Sequence, residues 1–183
     1  MNILNIYCIN TEEGNVGDAA TSQAIRQLIS EHATIETFLE TDLRSLRDKP
    51  TQGATHSERE IVEMLEKSDV CIIGGGGLYS RSFFPLSGTG IRLLASKPTI
   101  LYGLGYNKNL EYPDLTQEQR DSIAELNRIA TASSVRDLQT ARYLSRINCQ
   151  VECIGDPAIF LATETRSRLN HSPTIGLNIA LHG

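Results

Sequence analysis

The stretch from Asp69 to Leu78, Asp-Val-Cys-Ile-Ile-Gly-Gly-Gly-Gly-Leu, most narrows what this chain can fold into. Val70 to Ile73 is a short apolar run rich in β-branched residues, bounded by a charge on one side and glycines on the other. Such a run reads as a strand buried on both faces of a sheet. The four glycines that follow lack side chains, so φ can turn positive and another segment or a ligand can approach the backbone closely. A strand that ends this way and feeds a helix turns main-chain donors toward the crevice at the carboxyl end of a parallel sheet. The competing reading is a tight turn in which glycine only relieves crowding.

The rest of the chain supplies the partners of that strand. Asn2–Ile9 reads as a first strand, followed by a helix from about Gly17 to His32 with Ala20, Ala24, Ile25, Leu28 and Ile29 on one face. Thr34–Leu39 reads as a second, more polar strand, and 41–55 as an irregular charged connection. Ser57-Glu-Arg-Glu60 and Thr116-Gln-Glu-Gln119 have capping-box spacing. The first opens a helix with Ile61, Val62 and Leu65 inward, the second a helix carrying Ile123, Leu126 and Ile129. A helix near 91–95 and strands at Thr99–Tyr102, Ala132–Val135 and Val151–Ile154 complete the pattern. Asp137 caps a helix expected to bury Leu138, Ala141 and Leu144. Strands alternating with amphipathic helices specify an α/β fold with a doubly wound, Rossmann-like parallel sheet over residues 1–162. Residues 163–173 read as a polar linker. Residues 174–183 read as the first strand of a second α/β unit that the chain does not complete, with an extra edge strand of the same sheet as the alternative.

Composition closes off several functions. The net charge of −5, with no Lys/Arg-rich run, argues against a nucleic-acid surface. No apolar run approaches membrane-spanning length, and the N-terminus lacks the pattern of a secretory signal, so a cytoplasmic protein is expected. Cys8, Cys71, Cys149 and Cys153 have neither C-x-x-C spacing nor nearby histidines, which points to buried free thiols and to no metal site. His171 and His182 stand alone in sequence.

The spacing of the glycines also excludes the common phosphate motifs. Counting from Gly74 or Gly75, the third glycine of G-x-G-x-x-G falls on Tyr79 or Ser80, and no P-loop occurs. The first loop says more. In Asn15-Val-Gly-Asp18, Gly17 permits a tight turn and Asp18 sits as a cap at the helix N-terminus, where a phosphate would otherwise bind. A carboxylate there suits hydrogen bonds to sugar hydroxyls, or serves only as a cap. Arg136, in Ser134-Val-Arg-Asp137, ends a strand where a cleft should open. It can grip a carboxylate or phosphate in bidentate fashion, or pair with Asp137 or Asp156 as a structural link. Asp156, before Pro157, orders its turn or supports Arg136. Ser134 has no histidine partner, so nucleophilic catalysis finds no support and no catalytic residue can be named.

Taken in order, Asn15-x-Gly-Asp18, Gly74-Gly-Gly-Gly-Leu78, Gly103-x-Gly105, Ser134-Val-Arg-Asp137 and Asp156-Pro-Ala158 resemble the polysaccharide pyruvyl transferases over residues 2–160. The resemblance implies a GT-B-like pair of Rossmann-type domains with the site between them, this chain being the N-terminal half. It implies transfer of a pyruvyl group from phosphoenolpyruvate to paired sugar hydroxyls, forming a ketal in exopolysaccharide or related polysaccharide biosynthesis. The donor is a substrate, and no separate cofactor is implied. The acceptor is a sugar or oligosaccharide, with lipid-linked forms included, and a homo-oligomer is left open. By position, Asn15, Gly17, Asp18, Gly75 and Gly76 would line this half of the cleft. Arg136 would bind the donor anion, with Asp156 in support. The Arg-Leu-His stretch of the family's second half has no counterpart here, and Tyr106 stands where the family favours a smaller apolar residue. The chain alone is therefore expected to be inactive. Two other readings stay open: half of a GT-B glycosyltransferase using a nucleotide sugar, and a non-catalytic Rossmann-like binding module.

Overall fold

The computed structural model describes residues 1–9, 16–48, 54–106 and 114–162. The expected linker, the strand at 174–183 and the two C-terminal histidines lie outside these residues, as does Asn15.

Six strands form one parallel sheet: β1 (Asn2–Tyr7), β2 (Thr37–Asp42), β3 (Val70–Gly74), β4 (Thr99–Leu104), β5 (Ala132–Val135) and β6 (Glu152–Cys153). Their spatial order is β2-β1-β3-β4-β5-β6. Five helices connect them: α1 (Val16–Ser30), α2 (Glu58–Glu66), α3 (Gly88–Ala95), α4 (Gln117–Ile129) and α5 (Leu138–Ser145). The crossover from β1 to β2 runs one way along the sheet and every later crossover runs the other. Because such crossovers are right-handed, α1 must lie on the opposite face from α2–α5. The side chains agree: Ile25 of α1 packs with Ile3 and Ile72, whereas Ile61, Leu94, Ile123, Leu126 and Leu144 pack with Leu4, Ile6, Cys71, Ile73 and Leu101. The fold is doubly wound, and the direction reverses between β1 and β3.

The run that organised the sequence is the centre of the sheet. Cys71–Gly74 are buried, with β1 on one side and β4 on the other. Both capping boxes are complete, with the Ser57 and Thr116 side chains accepting from the third helical N–H and Glu60 and Gln119 reaching back to the cap. Ser57→Ala should therefore lower stability by about 1 kcal/mol, read as a shift in the urea midpoint at constant slope. An unchanged midpoint would mean that α2 is held by packing alone.

Several boundaries differ from the pattern. β1 ends at Tyr7, and β2 is displaced toward the C-terminus, because Glu36 N–H donates to Met1 O and the register pairs Asn2 with Thr37. The stretch expected as irregular thus begins with the end of β2 and a 3₁₀ turn at Leu43–Leu46. The helix expected near 91–95 starts at Gly88, capped by Ser87. β6 shrinks to two exposed residues at the sheet edge. Leu138 does not join the core. It is 64% exposed, since the first helical position after the Asp137 cap stands above the sheet edge. Of the four thiols expected to be buried, Cys71 alone is, Cys8 and Cys149 are half-buried, and Cys153 on β6 is exposed. Among the described residues the sheet face carrying α1 is covered only in part, with an apolar groove of about 490 Å³ between α1 and β3–β6. Leu28 and Ile29 are half-buried for that reason.

Candidate active site

The carboxyl ends of the strands carry the polar groups singled out from the sequence. At the reversal point, Gly75 and Gly76 follow β3 with φ of 64° and 74°. Both are left-handed, where a Cβ meets the backbone. Here the two glycines part company. A Cβ on Gly75 would lie 1.7 Å from Thr21 Cγ2 of α1, so this glycine lets helix and turn approach, and its N–H is taken by Tyr102 O at 2.9 Å. A Cβ on Gly76 would instead meet Asp18 Oδ1 at 3.2 Å. Gly76 and Asp18 therefore face each other across the end of the sheet. Helix α1 begins at Val16, which puts Asp18 inside its first turn rather than at the cap position. A carboxylate there still lies in the favourable field of the helix N-terminus. Gly17, next to it, is exposed, and its carbonyl accepts from Thr21 Oγ1.

A buried polar cluster beside Asp18 was not singled out from the sequence. Asp42, fully buried at the end of β2, forms a bidentate pair with Arg44, Oδ1 to Nε and Oδ2 to Nη2, both at 2.8 Å. The same pair grips Ile9 from two sides: its N–H donates to Asp42 Oδ2 at 2.6 Å and its carbonyl accepts from Arg44 Nη2 at 3.0 Å. The chain leaving β1 is thereby held where Cys8 comes beside Asp18. The only hint in sequence is Leu43 and Leu46 three residues apart behind an aspartate, a capped turn. Below this cluster, Asn5 Nδ2 donates to Ser22 Oγ at 2.9 Å, and Ser22 Oγ donates to Glu40.

Burial, with help from the Asp18 and Asp42 charges, pushes the Cys8 thiol up to about 12, and burial pushes Cys71 up to about 11. The thiolate is the reactive form. A maleimide at pH 7.5 should thus label Cys153 first and leave Cys8 and Cys71 protected until the chain unfolds, as read by peptide mass mapping. Equal labelling of Cys8 and Cys153 would contradict the closed environment beside Asp18.

Arg136 follows β5, two strands away from the glycine turn in the sheet, a lateral spacing of about 10 Å. Its guanidinium lies between two carboxylates, Nε to Asp137 Oδ2 and Nη1 to Asp156 Oδ2, each at 3.5 Å. Both structural pairings open in sequence are thus present. Gly105 forms the floor, since a Cβ there would lie 2.3 Å from Arg136 Nε. Gly105 N–H in turn donates to Gly76 O at 2.8 Å, joining the Arg136 end of the site to the glycine turn. Asp137 also caps α5, and Asp156 Oδ1 accepts from Ala158 N–H. Among the described residues two carboxylates thus face one guanidinium, so an anion reaching Arg136 must displace a carboxylate or arrive with a further cation.

The edge is open. Beyond β6, Pro157 lies over Gly103 of β4 and the 3₁₀ segment Pro157–Ala162 returns to pack on α1. Val16, Leu138, Ile159 and Phe160 are 79%, 64%, 65% and 42% exposed. Large apolar side chains are thus exposed at the starts of α1 and α5 and in the 3₁₀ segment after β6. Among the described residues no helix is long and apolar enough to cross a membrane.

No curated protein matches the chain at a significant level. The family model for polysaccharide pyruvyl transferase matches residues 15–180, reaching beyond the 2–160 span of the sequence resemblance. That match takes in the first turn of α1 with Asp18, the glycine turn, Arg136 and Asp156, and the chain belongs to the polysaccharide pyruvyl transferase family.

Proposed function

We propose that this chain forms one wall of a site that transfers a pyruvyl group from phosphoenolpyruvate to two hydroxyls of a sugar. The observation that carries the reading is the apposition of Asp18 and the Gly76 turn at the reversal point of the sheet, in a chain of this family. Ligands of open α/β sheets bind at that place. The reaction balances without a redox partner. A proton adds to the methylene carbon of the donor, making it a methyl. One sugar hydroxyl bonds to the central carbon, phosphate departs from it, and a second hydroxyl closes the ketal. Of the two hydroxyl protons released, one matches the proton taken by the methylene carbon and the other leaves with phosphate.

In this scheme Asp18 accepts hydrogen bonds from the acceptor hydroxyls, with Gly76 placing no side chain opposite it, Gly75 seating the turn against α1 and Gly17 assigned to the same wall by motif. Asn15, outside the described residues, is assigned to the same wall by motif alone. Arg136 takes the donor carboxylate or phosphate as Asp156 turns aside. The exposed apolar side chains suit a second, GT-B-like wall, and the chain alone is proposed not to turn over. Polysaccharide biosynthesis in the cytoplasm, on free or lipid-linked acceptors, fits this scheme.

The test uses the full-length protein. Phosphoenolpyruvate at one hundred times its Kd should raise stability by about 2.7 kcal/mol, and phosphate release should require a sugar acceptor. Stabilisation by nucleotide sugars instead would favour a glycosyltransferase. A response to neither ligand would favour a binding module.

A further inference from the structure

A second polar surface opens at the same sheet edge. Tyr106 directly follows Gly105, and its backbone N–H is held by Thr140 Oγ1 at 2.9 Å. Its ring stacks on Tyr143 of α5, with centroids 3.9 Å apart and planes 13° from parallel. From this pair a groove of about 810 Å³ runs between α4 and α5, within the size range of small-molecule sites.

The two walls differ in chemistry. α5 (Leu-Gln-Thr-Ala-Arg-Tyr-Leu-Ser) contains no acidic residue and lines the groove with Arg142, while Arg146 lines it one turn further on. Like charges at this spacing repel. Of the other exposed helical arginines, Arg59 pairs with Glu63 and Arg128 with Glu125, while Arg26 lies over the Phe38 ring and Arg92 donates to Thr89. Arg142 and Arg146 are exposed, and among the described residues neither forms an ion pair. The α4 wall is mixed: Gln117 bridges Asp121 at 2.7 Å and Arg120 at 3.2 Å, and Asp114 lies just before the helix. The hydroxyl of Tyr143, which also lines the groove, is buried with no hydrogen-bond partner among the described residues, a condition that a bound polar group would relieve.

We propose that this groove binds a saccharide bearing carboxylate groups, as an extended acceptor subsite; the assignment to acceptor rests on the function proposed above. The forked cations of Arg142 and Arg146 suit a carboxylate. The acids and amides of α4 suit sugar hydroxyls, and the tyrosine rings offer an apolar face with a polar tip. A polymer leaving the sheet edge past Gly105 enters the groove at Tyr106. Each transfer adds a carboxylate-bearing ketal to the acceptor, so a repeat that has already reacted carries the charge the groove accepts.

The experiment titrates full-length protein with trigalacturonate, with neutral galactotriose and with inorganic pyrophosphate, using calorimetry. Trigalacturonate should bind at least tenfold more tightly than either control. The R142A/R146A double variant, both positions being exposed, should weaken it at least tenfold while leaving stabilisation by phosphoenolpyruvate unchanged. No binding of trigalacturonate, equal binding by pyrophosphate, or affinity unaltered in the double variant would overturn the subsite. Failure of phosphoenolpyruvate to stabilise the wild type counts instead against the proposed function and leaves the groove result standing.

Discussion

Gly75→Ala should destabilise the protein by about 2–5 kcal/mol. Two separate terms combine. Holding alanine at a φ of 64° costs about 1–2 kcal/mol, and forcing a Cβ to within 1.7 Å of Thr21 Cγ2 adds an overpacking cost of about 1–3 kcal/mol. Against a total stability of about 5–15 kcal/mol for a domain, that is a large share. The two terms can be separated. Adding Thr21→Ala removes the Cγ2 but leaves the Thr21 Cβ position at 2.9 Å, so part of the overlap is relieved and the dihedral cost remains. The double variant should be more stable than the sum of the two single effects, which a double-mutant cycle in urea would read. Gly74→Ala is the control. Its Cβ would meet Ile25 Cδ1, the mobile end of a side chain, and Gly74 has no positive φ, so its loss should be smaller. A Gly75→Ala midpoint equal to wild type would mean that α1 does not approach the turn as described. The placement of Asp18 over Gly76 would fall with it.

The second large effect is on activity. Arg136→Ala in the full-length protein should lower kcat/KM for phosphoenolpyruvate by about 10²–10³-fold, the usual loss when one charged donor to a reacting group is removed. The stability cost should be slight, because both ion pairs that Arg136 forms with described residues are long and partly exposed, and such pairs contribute about 1 kcal/mol or less. Asp137 keeps its cap and Asp156 its turn in the variant. Arg136→Lys retains the charge but not the planar fork, and should recover only part of the activity. If activity in Arg136→Ala falls only in step with the folded fraction, the residue is a link between β5 and the Asp156 turn and nothing more.

Local patterning carried the architecture. The apolar run at Val70–Ile73 could only be a central strand, and both capping boxes formed because their partners lie three residues apart. β5 has the bounds its sequence suggested. Such features need only neighbours in the chain. The same holds for the positive φ at Gly75 and Gly76. What neighbours in sequence could not supply was which surface each turn would meet. The two glycines read alike in sequence, yet one meets Thr21 and the other Asp18. Asp42 and Arg44 looked like part of a charged loop, but the register of β1 on β2 buries Asp42 and brings Ile9, thirty-three residues away, between them. The apolar period of α5 counted Leu138 as core, although it is exposed in the fold. The Arg142–Arg146 wall became a groove only when α4 was laid beside α5. Pattern and spacing are local and survive in one dimension. Burial, charge compensation and the walls of a site depend on segments that tertiary packing alone brings together.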